Sequence, residues 1–556
     1  MSISVRPALR ASASVLAAAA LLVACGDTDA GEAQPAASGS PTAADVATSA
    51  DPTAADTAAG PASSDGATDA ATTTPTDDEA PQRGGTLTWG WALPSTWDPV
   101  TSAVGNDSHA LTLVYEAVTE QTADGEAAPG LAEGWHYNET GDEITFHIRP
   151  GLTFSDGEVL DAEAVRTSLL RGRDDEKSTV AAQLAVVQDV VADSPTDVRL
   201  VLDQPDYQIP LLLSGKTGMI VSPKAIATDP EGLATKPVGA GQFVLDEYVP
   251  DSHANLSRNP TFWNAEHIYV DEFVLKPTPD AAVAAAGLQT GQFNLVSLPA
   301  SQVDAIESAG FPVLTFEVLP VRVLDVNNTV EPFDDPLVTQ AINHAIDRQA
   351  LIDVANFGYG KPLWQPFPDG YVAHNDELDD LYPYDPGKAE ELLAEGGYTD
   401  GVDVQLAISS VDPLSEPLAE LIQQQLDAVG IRTEIVVQTP GVVNYVTLEH
   451  PFVVDQFNAR QSPLQSLEVL FGEQGLMNLG RNSPPELQTA IDAARALPLD
   501  DPGYPAAVQE ATKVGVTSLP NIFLFSVTRF FAHTDDVHGL VPHVDTWRFE
   551  DVWVEQ

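Results

Sequence analysis

The sequence holds a single cysteine, Cys25, in 556 residues. One thiol excludes an internal disulfide framework and any multi-thiolate metal site. Cations are scarce too: Lys and Arg total 25 against 82 Asp and Glu, a formal net charge of −57. Nucleic acid is therefore excluded as a partner, because phosphate binding needs clustered Lys and Arg. The acid surplus is that of a surface that supports solubility outside the cell. The apolar run Ala11–Ala24 is shorter than the roughly 20 residues a bilayer-spanning helix needs. A nucleophile elbow, an HExxH and a paired-carboxylate motif are all missing, although so many carboxylates leave an acidic pair open.

What is present at the N-terminus has the order of an export signal. Arg6 and Arg10 give a positive start, the small apolar stretch follows, and Leu22-Val23-Ala24-Cys25 resembles the bacterial lipobox, in which the chain is cut before a lipidated cysteine. Residues 1–24 are expected to be the signal peptide and Cys25 the lipid attachment point. The stretch Gly26–Gln82 carries no Lys, Arg or aromatic residue, and Val46 is its one branched aliphatic. It cannot bury enough apolar surface to offset its ordering entropy, so residues 25–82 are expected to form a disordered acidic tether. As a flexible coil it would span about 40 Å.

From Arg83 onward the chain is longer than one core organises, so two or more lobes are expected. Gly85–Trp91 has the pattern of a first strand and Ser108–Gln121 that of a helix. Trp135–Arg149 predicts a hairpin turning at Thr140-Gly141-Asp142. Asp161 is placed to cap a helix containing Val165 and Leu169. Asp335-Pro336 and Asp385-Pro386 each put a cap before a first-turn proline. Strand 402–408, a helix with Leu418, Ile422 and Leu426 on one face, and strand 431–437 complete a helix–strand–helix–strand unit. That unit predicts an α/β lobe with parallel pairing.

Three motifs carry little. Ser214-Gly215-Lys216-Thr217 has the end of a phosphate-binding loop, but Pro210 stands where the motif needs glycine. His533, His538 and His543 recur every five residues, which suits no single helical face, and are expected to be ordinary surface histidines. Most tryptophans fit a core, whereas Trp97 and Trp364 sit in proline-rich, loop-like contexts that suit a ligand-facing role.

Several stretches together resemble a known family. EITFHIRPGLTFSDGEVLDAEAVRTSLLR (143–171), preceded by LAEGW (131–135), is similar to the hallmark segment of the extracellular solute-binding proteins of the oligopeptide, dipeptide and nickel type (family 5). KPVGAGQFVL (236–245), SRNPTFWN (257–264), LQTGQFNLV (288–296), FDDPLVTQAINHAIDRQALI (333–352) and YDPGKAEELLAEGGY (384–398) follow in that family's order. The resemblance implies an α/β, two-lobed type II periplasmic-binding-protein fold with a subdomain inserted in the first lobe. Lobe I would comprise 83–125, 233–320 and 519–556, the insert 126–232, and lobe II 321–518. VRVLDVNN (321–328) and NIFLFS (521–526) would form the hinge.

The resemblance further implies solute capture for an ABC importer's permease subunits, with neither catalysis nor a cofactor or metal, by a monomer held at the outer face of the cytoplasmic membrane. The ligand would be peptide-like or another small polar solute. A nickel or metal chelate, an oligosaccharide, a sensing role and a secreted hydrolase are the alternatives. Peptide-binding members pair an Asp with the ligand's amine, but the matching region DQFNARQSPLQSLEVLFG (455–472) carries Arg460-Gln461-Ser462 there. Arg460 either clamps a carboxylate or forms a structural salt bridge. Trp97, Asn327, Trp364, Arg460 and Gln461 are the expected ligand contacts.

Overall fold

The computed structural model describes residues 80–278, 280–439, 444–518 and 520–556. The leader, Cys25 and nearly all of the tether lie outside these residues. Among the described residues no helix is long and apolar enough to cross a membrane.

One ten-stranded sheet runs through the folded unit. Its strands, in order, are Ile431–Val437, Val402–Ile408, Phe452–Phe457, Val313–Val326, Asn521–His533, Leu295–Leu298, Thr86–Gly90, Glu272–Lys276, His253–Arg258 and Phe243–Val249. The two central strands are by far the longest and pair antiparallel, with register shifts between Glu317 and Val321 and between Arg322 and Val323. They carry the chain from one lobe to the other. At one end of the sheet Val402–Ile408 and Ile431–Val437 pair in parallel, as the helix–strand alternation predicts.

Lobe II packs helices on both faces of its part of the sheet. Pro336–Ala345, Arg348–Ala355, Pro386–Glu395 and Ser415–Ala428 cover one core, built on Ile342, Leu418, Ile422 and Leu406. Pro463–Phe471, Pro485–Arg495 and Tyr504–Thr517 cover another, built on Leu467, Ile491, Val508 and Phe523. Asp335 and Asp385 cap their helices by accepting from Leu337 N and Lys388 N. The insert has a separate sheet of four strands, Ala132–Tyr137, Glu143–Ile148, Asp197–Leu202 and Val187–Ala192 in order, backed by helix Ala162–Asp174. Asp161 caps that helix through Glu163 N and Ala164 N. The hairpin turns at Gly141, whose φ of 75° suits glycine.

The helix expected over Ser108–Gln121 ends at Val114. Tyr115 is already extended, and Thr119–Gln121 pairs as a strand with Ala127–Pro129. A packing contact imposes the break. Gly241 N donates to Val114 O at 2.8 Å, and a Cβ on Gly239 would lie 2.2 Å from that same oxygen. The glycines of the PVGAGQF turn are thus required where that turn crosses the helix end. Gly218 is tighter still, since a Cβ there would sit 1.9 Å from Leu213 O. Gly218→Ala is expected to destabilise the chain by about 3 kcal/mol in urea unfolding.

Candidate ligand cleft between the lobes

Lobe I, the insert and lobe II meet through polar contacts. Gln461 lies between the lobes: its Nε2 donates to Asp545 Oδ2 at 3.0 Å, and its carbonyl accepts from Gln121 Nε2 at 3.4 Å. A Cβ on Gly215 would come within 2.6 Å of the Gln461 side chain, so Gly215 and Gln461 touch, with Lys216 and Arg460 as their chain neighbours. Gln208 of the insert accepts from Ser462 Oγ at 3.0 Å and from Tyr504 OH at 3.1 Å, both in lobe II. Tyr207 N donates to Arg495 O at 3.1 Å, and Arg495 pairs with Asp206 at 3.5 Å. Along this seam lies a groove of about 400 Å³ whose walls include Gln183, Asp206, Gln208, Glu468 and Arg495. A void of about 20 Å³, room for roughly one water, is lined by Gln121, Ser214, His543 and Asp545.

Burial pushes the Asp206 carboxyl up to about 6, against the pull of Arg495. Its unfolded value is about 3.9, so between those pH values the folded chain holds a proton the unfolded chain has lost. This contribution to stability is greatest below about pH 4 and fades as pH rises to about 6. Asp206→Asn should flatten that slope by up to about 3 kcal/mol, read from urea unfolding at pH 4, 5 and 7.

Lobe II places a second carboxyl cluster on its strands. Asp325 is fully buried and accepts from Asn521 Nδ2 at 2.7 Å, and Asp455 accepts from the Tyr445 hydroxyl. Burial and the neighbouring Asp455 hold the Asp325 carboxyl well above its usual range. Arg322, on the strand of Asp325, is paired with Asp412 at 2.5 Å.

The expected ligand contacts are not brought together. Arg460 and Gln461 lie at the interlobe contact. Trp97 instead sits in the lobe I core with no exposed surface, edge-on to Tyr248, because its loop folds beneath the strand ending at Val249. Asn327 is used locally, its Oδ1 accepting from Thr329 N and Oγ1 at 3.2 and 2.6 Å. Trp364 donates to Tyr382 O at 3.0 Å and lies under the Arg348 guanidinium, 5.0 Å from its ring centre. Of the two readings of Arg460, the salt bridge is not formed: among the described residues it makes no ion pair, and its Nη1 reaches Asn458 O at 3.4 Å.

The sequence reading missed His109, Arg529 and Asp545, which face the same region. A cation inside the apolar strand NIFLFSVTRFFAH was the available signal for Arg529. His533 and His538 lie within electrostatic reach of each other, but with His543 they form no set at metal-ligand distances among the described residues. Among the described residues, the one grouping with metal-ligand proximity is His374, Asp376 and Asp379 in lobe II, two of them exposed.

Two lobes sharing one sheet, crossed by two long strands and carrying an inserted subdomain, define a type II periplasmic-binding protein. Residues 126–474 match the family described as bacterial extracellular solute-binding proteins, family 5 Middle, and the chain belongs to that family. The glutathione-binding protein GsiB of Salmonella paratyphi A is 30% identical over 315 residues, 56% of this chain and 61% of that protein. The matched stretch thus falls short of two thirds of the curated relative's length. Among solved structures, Helicobacter pylori DppA in complex with peptide STSA superposes with a TM-score of 0.75 at 24% identity, covering 85% of this chain and 99% of that one. Brucella suis NikA in complex with Fe(III)-EDTA gives a TM-score of 0.76 at 22% identity, covering 85% and 100%. At these identities the structures establish the fold.

Proposed function

We propose that the chain is the substrate-binding lipoprotein of an ABC importer, which captures a peptide-like or other small polar solute by lobe closure and presents it to the permease. The observation that carries this reading is the meeting of polar side chains from three segments, Gln121 with Gln461, Gln461 with Asp545, and Gln208 with Ser462 and Tyr504. A ligand seated among them touches both lobes only when they close, so its binding energy favours closure. Closure also removes water, which strengthens its hydrogen bonds and ion pairs. Family membership and the relatives' printed ligands, glutathione and a peptide, support a ligand of this class. The lobe boundaries at 126, 233, 321 and 519 belong to this proposal, as do a cleaved leader, a lipid on Cys25 and a tether standing the monomer off the membrane.

A thermal-shift screen of the full chain against peptides, oligosaccharides and nickel chelates tests it. A true ligand at 100 times its Kd adds about 2.7 kcal/mol of stability. Turnover of an ester or glycoside with no stabilising ligand would contradict the reading. For the anchor, Cys25→Ser should move the protein from the detergent phase to the aqueous phase. Unchanged partitioning removes the lipid.

A further inference from the structure

His109 and Arg529 make an arrangement that protein groups alone leave incomplete. The backbone N–H of Trp547 donates to His109 Nδ1 at 3.1 Å. A nitrogen that accepts carries no proton, so the ring's proton is on Nε2, which rules out the imidazolium, in which both nitrogens donate. Burial and the neighbouring Arg529 cation act in the same direction, holding the imidazole neutral. That Nε2–H lies 3.1 Å from Arg529 Nη1, which is also a donor. Two donors therefore converge with no acceptor between them. The Trp91 ring walls the pair, edge-on to His109 at 5.2 Å and 6.0 Å from the Arg529 guanidinium.

Carboxylates are in large surplus in this chain, 82 against 25 cations. Even so, among the described residues Arg529, Arg460 and Lys216 form no ion pair. Lys216 Nζ donates only to Ser102 O, and Arg460 Nη1 reaches Asn458 O at 3.4 Å. Arg460 precedes Gln461 and Lys216 follows Gly215, so both flank the touching pair, and they repel one another. Asp545 lies within electrostatic reach of both arginines but pairs with neither among the described residues, and its Oδ2 accepts from Gln461 Nε2 and Thr546 Oγ1, each at 3.0 Å. Arg348 shows the contrast: it too has no carboxylate, but its guanidinium donates to Leu363 O, Phe523 O and Asn343 and is complete without one.

We propose that the solute is an anion whose carboxylate accepts from His109 Nε2 and Arg529 Nη1 beside Trp91, with Arg460 and Lys216 supplying the facing positive wall. A planar carboxylate suits a guanidinium beside a second donor. The three cations come from the insert, lobe II and the crossing strand, so the anion would draw all three segments together. This inference rests on the solute-capture reading above and names its substrate class.

Calorimetry on the full chain tests it with tripeptides in free, C-amidated and N-acetylated forms, together with dicarboxylic and sugar acids and their amides. Amidation should weaken binding at least tenfold, and N-acetylation less than threefold. Arg529→Gln should erase the preference for acid over amide, while Arg529→Lys keeps most of it. Should Arg529→Gln fail to fold by circular dichroism, Arg460→Gln against Arg460→Lys gives the same comparison from the other lobe. Binding that tracks the free amine, or a preference for acid that survives both glutamine variants, overturns the anion site and leaves solute capture standing. If no compound of any charge binds, solute capture falls and the anion site with it.

Discussion

Arg548→Met should lower the stability of the folded unit by about 3–5 kcal/mol, more than any substitution at the cleft. Arg548 Nη2 lies 3.2, 2.9 and 2.6 Å from Glu116, Glu120 and Glu550, and Glu116 is almost wholly buried. Burial raises the Glu116 carboxyl and raises that of Glu120 further, with the Arg548 cation opposing both shifts. Methionine keeps much of the side-chain bulk and removes the charge, leaving three carboxylates in one buried site. Those carboxylates would have to take up protons, so the deficit should shrink at pH 5 relative to pH 7. Adding Glu116→Gln and Glu120→Gln should recover part of the loss. Urea unfolding at both pH values reads all of this, and an Arg548→Met deficit under 1 kcal/mol would show the cluster to be already neutral.

Gln208→Ala should weaken solute binding about 10- to 100-fold while changing the stability of the unliganded chain little. Gln208 Oε1 accepts from two lobe II hydroxyls, Ser462 and Tyr504, both buried. Each bond contributes about 0.5–1.5 kcal/mol, and an orphaned buried hydroxyl costs about 1–3 kcal/mol. These terms act in the closed form, where the insert meets lobe II, so the loss falls on closure. An open chain gives both hydroxyls to water. Titration calorimetry on whichever solute the screen finds reads the change. An unaltered Kd would mean that this contact does not differ between open and closed forms.

Much of the fold was legible because its signals are local. Asp161, Asp335 and Asp385 stand before their helices with the spacing that capping requires, and each does cap. The 402–437 unit carries its periodicity in a continuous stretch, and the parallel pair follows from it. The end of the helix at Val114 was not legible, because the backbone that stops it arrives from Gly239 and Gly241, more than a hundred residues later. The site divides the same way. Arg460 and Gln461 stood out where the sequence departs from a family pattern. His109 and Asp545 are single residues in unremarkable local contexts, Arg529 is marked as a cation inside an apolar strand, and only the tertiary fold brings the three together. Trp97 has the proline-rich context of a surface loop, yet this loop folds under a strand into the core.

Solute binding is proposed to close the lobes, and an interlobe distance reads that directly. Spin labels on cysteines introduced at the exposed positions Val159 in the insert and Val411 in lobe II, in a Cys25→Ser chain, report the distance between them. Without solute the distribution should be broader and longer, collapsing to one short distance at saturation. A solute that binds in the calorimeter and leaves that distribution unchanged would rule lobe closure out.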